Sequence, residues 1–219
     1  MEATQETTKI VVLISGGGSN LQAVIDQVGN GTIDAEISLV ISNNPDVKGL
    51  QRAELAGIDT AVINHREYDS RESFERELIC QIDAHQPDLV VLAGFMRIFN
   101  AGFTNHYAGR MLNIHPSLLP KYKGVNTHAR ALEAGEAEHG ATVHFVTSEL
   151  DGGPLVLQAI VPVEKADTAS DLAARVLVQE HIIYPIAIKW FCEGRLTLDG
   201  NQVRLDKQAL PKEGIAQRQ

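Results

Sequence analysis

The sequence has little of what several specialised protein classes require. It contains two cysteines, Cys80 and Cys192, which form no CxxC pair, so a disulfide framework is not indicated and reduced thiols in a cytosol fit better. No apolar run approaches the roughly 20 residues of a membrane span. The N-terminus, "MEATQETTK", also lacks the apolar segment of a secretory signal. These absences together predict a cytoplasmic protein that does not bind a membrane.

Basic charge is also scarce. The net charge is -9, aromatic residues make up 5% of the chain, and no run of Lys and Arg occurs. A nucleic-acid surface is disfavoured because phosphate backbones are bound by clustered basic side chains. The histidines form no HExxH pattern, so no metal site is predicted, and no GxSxG elbow presents a serine nucleophile. A small anionic ligand stays compatible with this composition, because local dipoles can hold it.

Short apolar runs alternate with helix-like segments through the first half of the chain. The intervening segments show helical spacing, and Ser19 is predicted to cap the first helix. Strands that alternate with helices indicate an α/β fold, a mostly parallel, open, twisted, Rossmann-like sheet with helices on both faces. The predicted strands cover residues 9–15, 35–42, 59–64, 88–94 and 110–115.

The pattern changes in the second half of the chain. Residues 141–148 and 155–163 alternate apolar and polar side chains, which predicts an antiparallel extension of the sheet. A long helix is predicted over 169–194, with Pro185 marking a kink or a break. A hairpin is predicted over 195–205, around an Asp-Gly turn.

The length of 219 residues allows one α/β domain or two small ones. No repeat, low-complexity tract or linker divides the chain. We therefore predict a single domain over residues 9–205, with loosely ordered tails at 1–8 and 206–219.

A glycine-rich loop, "SGGGSN" at residues 15–20, separates the first strand from the first helix. Glycines allow a ligand to approach the backbone closely, and the helix N-terminus offers free N–H groups to an anion. Leu21 stands where the dinucleotide fingerprint needs glycine, and Leu-Gln stands where a Walker A loop needs Gly-Lys. The loop is either a monophosphate site, with donors from Gly18, Ser19 and Asn20, or an ordinary tight turn.

Asn113 and His115 end the strand over residues 110–115. Residues two apart in a strand share a face, and ligands of such sheets bind outside the carboxyl ends of the strands. Pro116 then favours an extended backbone at His115. An amide and an imidazolium side by side would form a pair of donors for an oxyanion, although a histidine satisfied by its neighbours under a loop is the alternative.

Asp151 is the third candidate, in the turn "ELDGGP". A carboxylate next to an imidazole favours the imidazolium, but spacing alone does not show that the groups meet, and an ordinary Asp-Gly turn is the alternative. His139 and His144 are interpreted as structural. His144 could still support the site, because it lies on the strand that leads to Asp151.

Five segments in this order resemble the glycinamide ribonucleotide formyltransferase family of folate-dependent enzymes, and the resemblance runs from about Lys9 to Gly194. The segments are "ISGGGSNLQA", "DLVVLAGFMRI", "YAGRMLNIHPSLLPKYKG", "EHGATVHFVTSELDGGP" and "QEHIIYP". The chain departs from the family pattern at Gly17, Lys123 and Asn126, and the roles of the last two residues stay open.

The resemblance implies transfer of a formyl group from 10-formyltetrahydrofolate to the amine of glycinamide ribonucleotide, in purine biosynthesis, without a metal. It implies that Asn113 and His115 stabilise the oxyanion and that Asp151 keeps His115 protonated and relays the proton of the amine. It assigns the ribonucleotide to Gly18, Ser19, Asn20 and Glu180. It assigns the folate to Arg71, Met96, Arg97, Ile98, Phe99 and Asn113, and to the backbone of residues 148–153.

Three other functions are alternatives to this one. Formyltransferases that act on methionyl-tRNA usually carry a larger C-terminal RNA-binding region, and formyltetrahydrofolate hydrolases usually carry an N-terminal regulatory domain; neither is expected here. A non-catalytic folate or phosphate binder is disfavoured by the intact Asn113, His115 and Asp151. Small-molecule substrates are therefore the expected partners, and a homodimer is compatible with the sequence.

Overall fold

The computed structural model of the chain describes residues 7–218, which form two compact units that divide between Met96 and Arg97. The expectation of one domain over residues 9–205 stays a prediction. Residues 1–6 and 219 of the predicted tails lie outside the described residues.

The first unit is a parallel sheet of four strands in the order β4-β1-β2-β3. Residues 10–14 of β1 are fully buried, which explains their continuous apolar run, because a central parallel strand is covered on both faces. The strands are β1 (Thr8–Ile14), β2 (Ala35–Ser42), β3 (Thr60–Val62) and β4 (Leu89–Leu92). The helices are α1 (Ser19–Gly29), α2 (Lys48–Leu55) and α3 (Arg71–Ala84), with a short 3-10 helix at His65–Glu67.

The start of α1 differs from the prediction. Gly18, not Ser19, occupies the N-cap position, with φ 68° and ψ 32°, and no described side chain caps the helix. The chain enters α1 through this left-handed turn, a conformation that glycine adopts without a Cβ penalty. Ser19 is therefore already the first helical residue.

The second unit contains a mixed sheet in the order β5-β6-β7-β11, in which β5, β6 and β7 pair antiparallel and β11 pairs parallel with β7. The strands are β5 (Met111–His115), β6 (Glu138–Phe145), β7 (Leu155–Pro162) and β11 (Ile215–Arg218). The helices are α4 (Ala101–His106), α5 (Thr127–Glu133) and α6 (Ala169–Cys192). A separate antiparallel sheet holds β8 (Leu196–Asp199), β9 (Gln202–Leu205) and β10 (Gln208–Ala209). The α/β fold class with an antiparallel C-terminal extension is confirmed.

The predicted long helix is confirmed as α6, which continues through Pro185, so of the two alternatives at this proline, a kink or a break, the break does not occur. Proline removes one backbone hydrogen bond from a helix interior. The apolar face of α6, which includes the buried Ile183, Tyr184 and Ile188, packs against β6 and β7 and offsets that loss. The Tyr184 hydroxyl also donates to the carbonyl of Leu112 at 2.9 Å, which ties α6 to the strand that carries Asn113. In residues 7–218, no helix combines the length and the apolar character that crossing a bilayer requires.

The C-terminal tail is more ordered than predicted. Asp206 makes a two-pronged ion pair with Arg195, with N–O distances of 2.8 Å, and residues 215–218 form β11. The strand β7 would otherwise present unpaired backbone groups at the sheet edge, and β11 satisfies them. Arg218 also pairs with Glu138 on β6. The prediction of a loose tail from Asp206 is therefore wrong over 206–218.

Candidate active site

The strand β5 and the turn after β6 carry the predicted catalytic side chains in the second unit. Asn113 and His115 lie two residues apart on β5, and only 6% of His115 is exposed. Asp151 sits at φ 46°, a left-handed conformation in a tight turn. A Cβ at Gly153 would collide with the carbonyl of Phe145, so the turn must fold directly against the end of β6. This close approach presents the Asp151 carboxylate toward β5.

The carboxylate of Asp151 lies between two imidazoles. Its Oδ2 is 3.5 Å from His115 Nδ1, and its Oδ1 is 3.8 Å from His144 Nε2. The side chains of Asp151 and His115 are 9% and 7% exposed, so solvent screens their interaction little. The pairing of Asp151 with His115, which sequence spacing alone does not show, is thus present.

His144 is the site residue that sequence reasoning undervalued. It lies opposite Asn113 in the antiparallel register of β5 and β6, and its Nε2 is 3.0 Å from Asn113 Nδ2. Its Nδ1 lies 2.9 Å from the carbonyl of Phe145. Burial lowers the pKa of His144 to about 4, an effect that outweighs the nearby Asp151 carboxylate. The ring is therefore neutral: Nδ1–H donates to Phe145, Nε2 accepts from the Asn113 amide, and the orientation of that amide is fixed.

Backbone groups of residues 122–124 contact the side chains of His115 and Asp151. His115 Nε2 donates to the carbonyl of Tyr122 at 3.0 Å, and the Gly124 N–H donates to Asp151 Oδ2 at 2.8 Å. Tyr122 adopts φ 56°, and its hydroxyl donates to Glu136 at 2.8 Å. Both nitrogens of His115 therefore face protein groups in this conformation. A ligand oxygen reaches Nε2 only by replacing the Tyr122 carbonyl.

Two of the three positions that depart from the family pattern, Lys123 and Asn126, lie next to these contacts. Lys123 Nζ pairs with Glu149 Oε1 at 2.6 Å, and the Lys123 carbonyl accepts from Arg130 Nη1 at 2.7 Å. Asn126 is the N-cap residue of α5 at φ 57°, where its side chain makes no capping bond to the described residues. Asparagine tolerates this left-handed conformation better than most residues, so Asn126 serves the entry into α5.

The glycine loop belongs to the first unit. Gly18 lies so close to α2 that a Cβ there would sit 2.7 Å from the Cα of Gly49. Gly16 and Gly17 instead border open space, as a ligand approaching the backbone requires. The Met96 N–H donates to Ser15 Oγ at 2.7 Å, which ties the segment after β4 to this loop. The first-turn N–H groups of α1 supply the positive end of the helix dipole beside it.

The predicted folate residues divide into two groups. Met96 is 72% exposed and Ile98 is 52% exposed, and Arg97 and Arg71 are also exposed. Met96 and Ile98 flank Arg97, and exposed apolar surface of this kind is typical of ligand-binding sites when it is contiguous. Phe99 differs, because it is 7% exposed and stacks on Phe103 with ring centroids 4.0 Å apart. Phe99 is therefore part of the core of the second unit, which does not support its assignment to a pocket wall.

Two further observations concern ligand sites in the second unit. Glu180 is 7% exposed on α6. A cavity of about 650 Å³ opens beside Asp151, and Met96 to Phe99 do not line it. Its lining includes Lys123, Asp151, Pro154, Gln202, Lys212 and Glu213. Within residues 7–218, no group of three His, Cys, Asp or Glu side chains is arranged to hold a metal ion.

Comparisons with known proteins agree with the geometry. A family model described as formyl transferase matches residues 8–188. Phosphoribosylglycinamide formyltransferase of Escherichia coli is 57% identical over 207 residues, covering 94% of this chain and 98% of the relative. The solved phosphoribosylglycinamide formyltransferase of Coxiella burnetii superposes with a TM-score of 0.93 at 54% identity, covering 96% of this chain and 99% of that one. The chain therefore belongs to the formyl transferase family.

Proposed function

We propose that the chain transfers the formyl group of 10-formyltetrahydrofolate to the amine of glycinamide ribonucleotide, a step of purine biosynthesis. Membership of the formyl transferase family and high identity to phosphoribosylglycinamide formyltransferases support this function. The observation that carries it is the buried pair of His115 and Asp151 beside an Asn113 amide held by neutral His144. A non-catalytic binder would have no need for this costly arrangement of buried polar groups.

Asn113 and His115 stabilise the charge that forms during transfer. The neutral amine attacks the formyl carbon, and negative charge develops on the formyl oxygen. Asn113 gives one amide hydrogen to His144, which leaves the second for this oxygen. His115 Nε2 supplies the other hydrogen bond once the ligand oxygen replaces the Tyr122 carbonyl. Preorganised donors of this kind contribute roughly 3–4 kcal/mol each to stabilisation of a transition state.

Asp151 serves His115 and the leaving proton. As the nitrogen–carbon bond to the amine forms and the bond to N10 of the folate breaks, one proton must pass from the amine to N10. The Asp151 carboxylate, whose Oδ2 lies 3.5 Å from His115 Nδ1, stabilises a cationic His115. Its oxygens can also accept the amine proton before that proton reaches N10. The Gly124 N–H at Asp151 Oδ2 fixes the carboxylate for both tasks.

The two substrates are assigned to separate groups of residues. The phosphate of the ribonucleotide binds the backbone of the glycine loop through Gly18, Ser19 and Asn20, and Glu180 contacts the same substrate. The folate lies against Met96, Arg97 and Ile98 and against the turn 148–153, and Arg71 meets its carboxylate tail. The exposure of Met96 and Ile98 supports the folate assignment. We further infer that the protein acts in the cytoplasm on small molecules, without nucleic acid, membrane or metal, and that a homodimer is compatible with this function.

A transfer assay with the purified chain tests the proposal. Tetrahydrofolate release is measured with 10-formyltetrahydrofolate, with and without glycinamide ribonucleotide. We expect release that depends on the amine, and a fall of at least about 10²-fold in kcat for His115→Asn. His85→Asn, at the C-terminal end of α3, is the matched control and should leave kcat unchanged. Tetrahydrofolate release at the same rate with and without glycinamide ribonucleotide would indicate a hydrolase. No turnover with both substrates present would refute the proposed function.

A further inference from the structure

The helix α2 supports the glycine loop of the first unit from behind. The Gly49 N–H donates to the carbonyl of Gly16 at 3.0 Å. Arg52 Nε donates to the carbonyl of Gly17 at 2.9 Å. Gly49 and Arg52 are three residues apart, so they lie on one face of α2. Two successive carbonyls of the loop are therefore held toward the same helix.

These two contacts also decide where the loop N–H groups point. The peptide bonds of the loop are trans, and in a trans peptide the C=O and the following N–H point in opposite directions. The bond to Gly49 turns the Gly17 N–H away from α2. In the same way, the hydrogen bond from Arg52 to the Gly17 carbonyl directs the Gly18 N–H away from α2. Successive N–H groups directed to one side form a concave site for an anion.

The close approach of α2 depends on glycine in both segments. A Cβ at Gly18 would lie 2.7 Å from Gly49 Cα, and a Cβ at Gly49 would collide with Ile14 Cδ1 and lie 2.9 Å from the carbonyl of Gly16. A side chain at Gly18 or Gly49 would therefore separate α2 from the loop. This separation would move the Arg52 guanidinium out of reach of the Gly17 carbonyl.

The guanidinium of Arg52 is itself restrained. Its Nη1 donates to Gln22 Oε1 at 3.1 Å, and Gln22 Nε2 donates to Asp26 Oδ1 at 2.8 Å. Both partners lie on α1, which follows the loop. Arg52 thus joins α2, the loop and α1, and this network fixes the side chain before any ligand binds.

We propose that Arg52 is a positioning residue for the ribonucleotide phosphate, acting through the Gly17–Gly18 peptide rather than by touching the ligand. The inference rests on the proposed function of the glycine loop. Gly17 is exposed and borders open space, so its peptide would otherwise rotate freely. The Arg52 hydrogen bond holds the Gly18 N–H in the orientation that an anion requires.

Three substitutions separate a hydrogen-bonding role from a role of the charge. Gln Nε2 occupies the chain position of Arg Nε, so Arg52→Gln keeps a donor for the Gly17 carbonyl and removes the charge. Arg52→Lys keeps the charge and places a methylene at that position. Arg52→Met removes both. Arg76→Met, at an exposed arginine on α3, is the matched control.

We expect Arg52→Met and Arg52→Lys to raise KM for the ribonucleotide by about tenfold, the effect of one lost hydrogen bond of about 1.4 kcal/mol. Arg52→Gln and Arg76→Met should stay within about threefold of the wild type. The KM for the folate and kcat should change less than twofold in all four variants, as a rough bound. If Arg52→Lys kept the wild-type KM for the ribonucleotide while Arg52→Gln raised it, the charge of residue 52 would act directly on the phosphate. Equal losses for both substrates, with a lower Tm, would show a merely structural role.

A second readout does not depend on activity. The ¹⁵N–¹H signals of Gly17 and Gly18 are followed by NMR while inorganic phosphate is added to the wild type and to the variants. The wild type and Arg52→Gln should show saturable shifts at both amides, and Arg52→Met should require about tenfold more phosphate. Absence of a response in the wild type would overturn the inference. A normal response together with no formyl transfer would instead refute only the proposed function.

Discussion

The substitution Asp151→Asn tests the roles proposed for Asp151 and His115 in catalysis. Asparagine has nearly the shape of aspartate and can still accept the Gly124 N–H, which now reaches Asp151 Oδ2 at 2.8 Å. The turn should therefore keep its conformation. The change removes the negative charge that lies 3.5 Å from His115 Nδ1.

The distance sets the magnitude of the expected loss. Two unit charges 3.5 Å apart attract each other by about 4–5 kcal/mol at an effective dielectric constant of about 20. The full value applies only to a complete imidazolium, so we expect a loss of about 3–4 kcal/mol in the transition state. That loss lowers kcat about 10²–10³-fold. KM for either substrate should change less than about threefold, because the charge acts on the transition state.

The assay is kcat for Asp151→Asn, for His115→Asn and for the double variant. If Asp151 acts through His115, the double variant should be little slower than the slower single variant, because residues that act as a unit are not additive. Asp59→Asn, at an exposed aspartate of the first unit, is the control for loss of one negative charge. Fully multiplicative losses would mean that Asp151 works independently of His115, and the reasoning would fail.

Two further predictions concern the folate and the effect of pH. Arg71→Ala should raise KM for the folate by a few fold, because an exposed charge pair contributes about 0.2–1 kcal/mol. The effect should be clearest for polyglutamylated forms. An unchanged KM would remove Arg71 from the site. Burial lowers the pKa of His139 to about 4, from 6.5 in the unfolded chain. The unfolded state therefore binds a proton at a higher pH than the folded state, and the stability of the fold decreases as pH drops from 6.5 toward 4. Between pH 7 and pH 5 the free energy of unfolding, measured with urea, should therefore fall less in His139→Leu than in the wild type, by about 2 kcal/mol. Equal losses in the two proteins would contradict this assignment.

Much of the architecture follows from local sequence pattern. The buried strands β1 and β4 appear as continuous apolar runs because parallel strands are covered on both faces. The Asp199-Gly200 turn predicts the hairpin of β8 and β9, and their antiparallel pairing confirms it. Local signals failed in the tail that forms β11, where packing overrides them, and they left open whether α6 breaks at Pro185.

Residue order alone establishes the alternation of strands and helices and places Asn113 and His115 on one strand face. It offers Asp151 as a candidate, and the family resemblance implies its pairing with His115. Residue type and spacing carry this information, because each of these features lies within a short segment or a recognisable motif. Tertiary structure decided that His144 orients Asn113, since the register of β5 against β6 joins residues 31 positions apart. It also decided that the carbonyl of Tyr122 contacts His115, that the N–H of Gly124 contacts Asp151, and that Arg52 holds the Gly17 carbonyl. Every residue except proline carries a backbone N–H and a backbone C=O, so residue type does not indicate which of these groups will contact a given side chain. Only the folded chain brings the partners together.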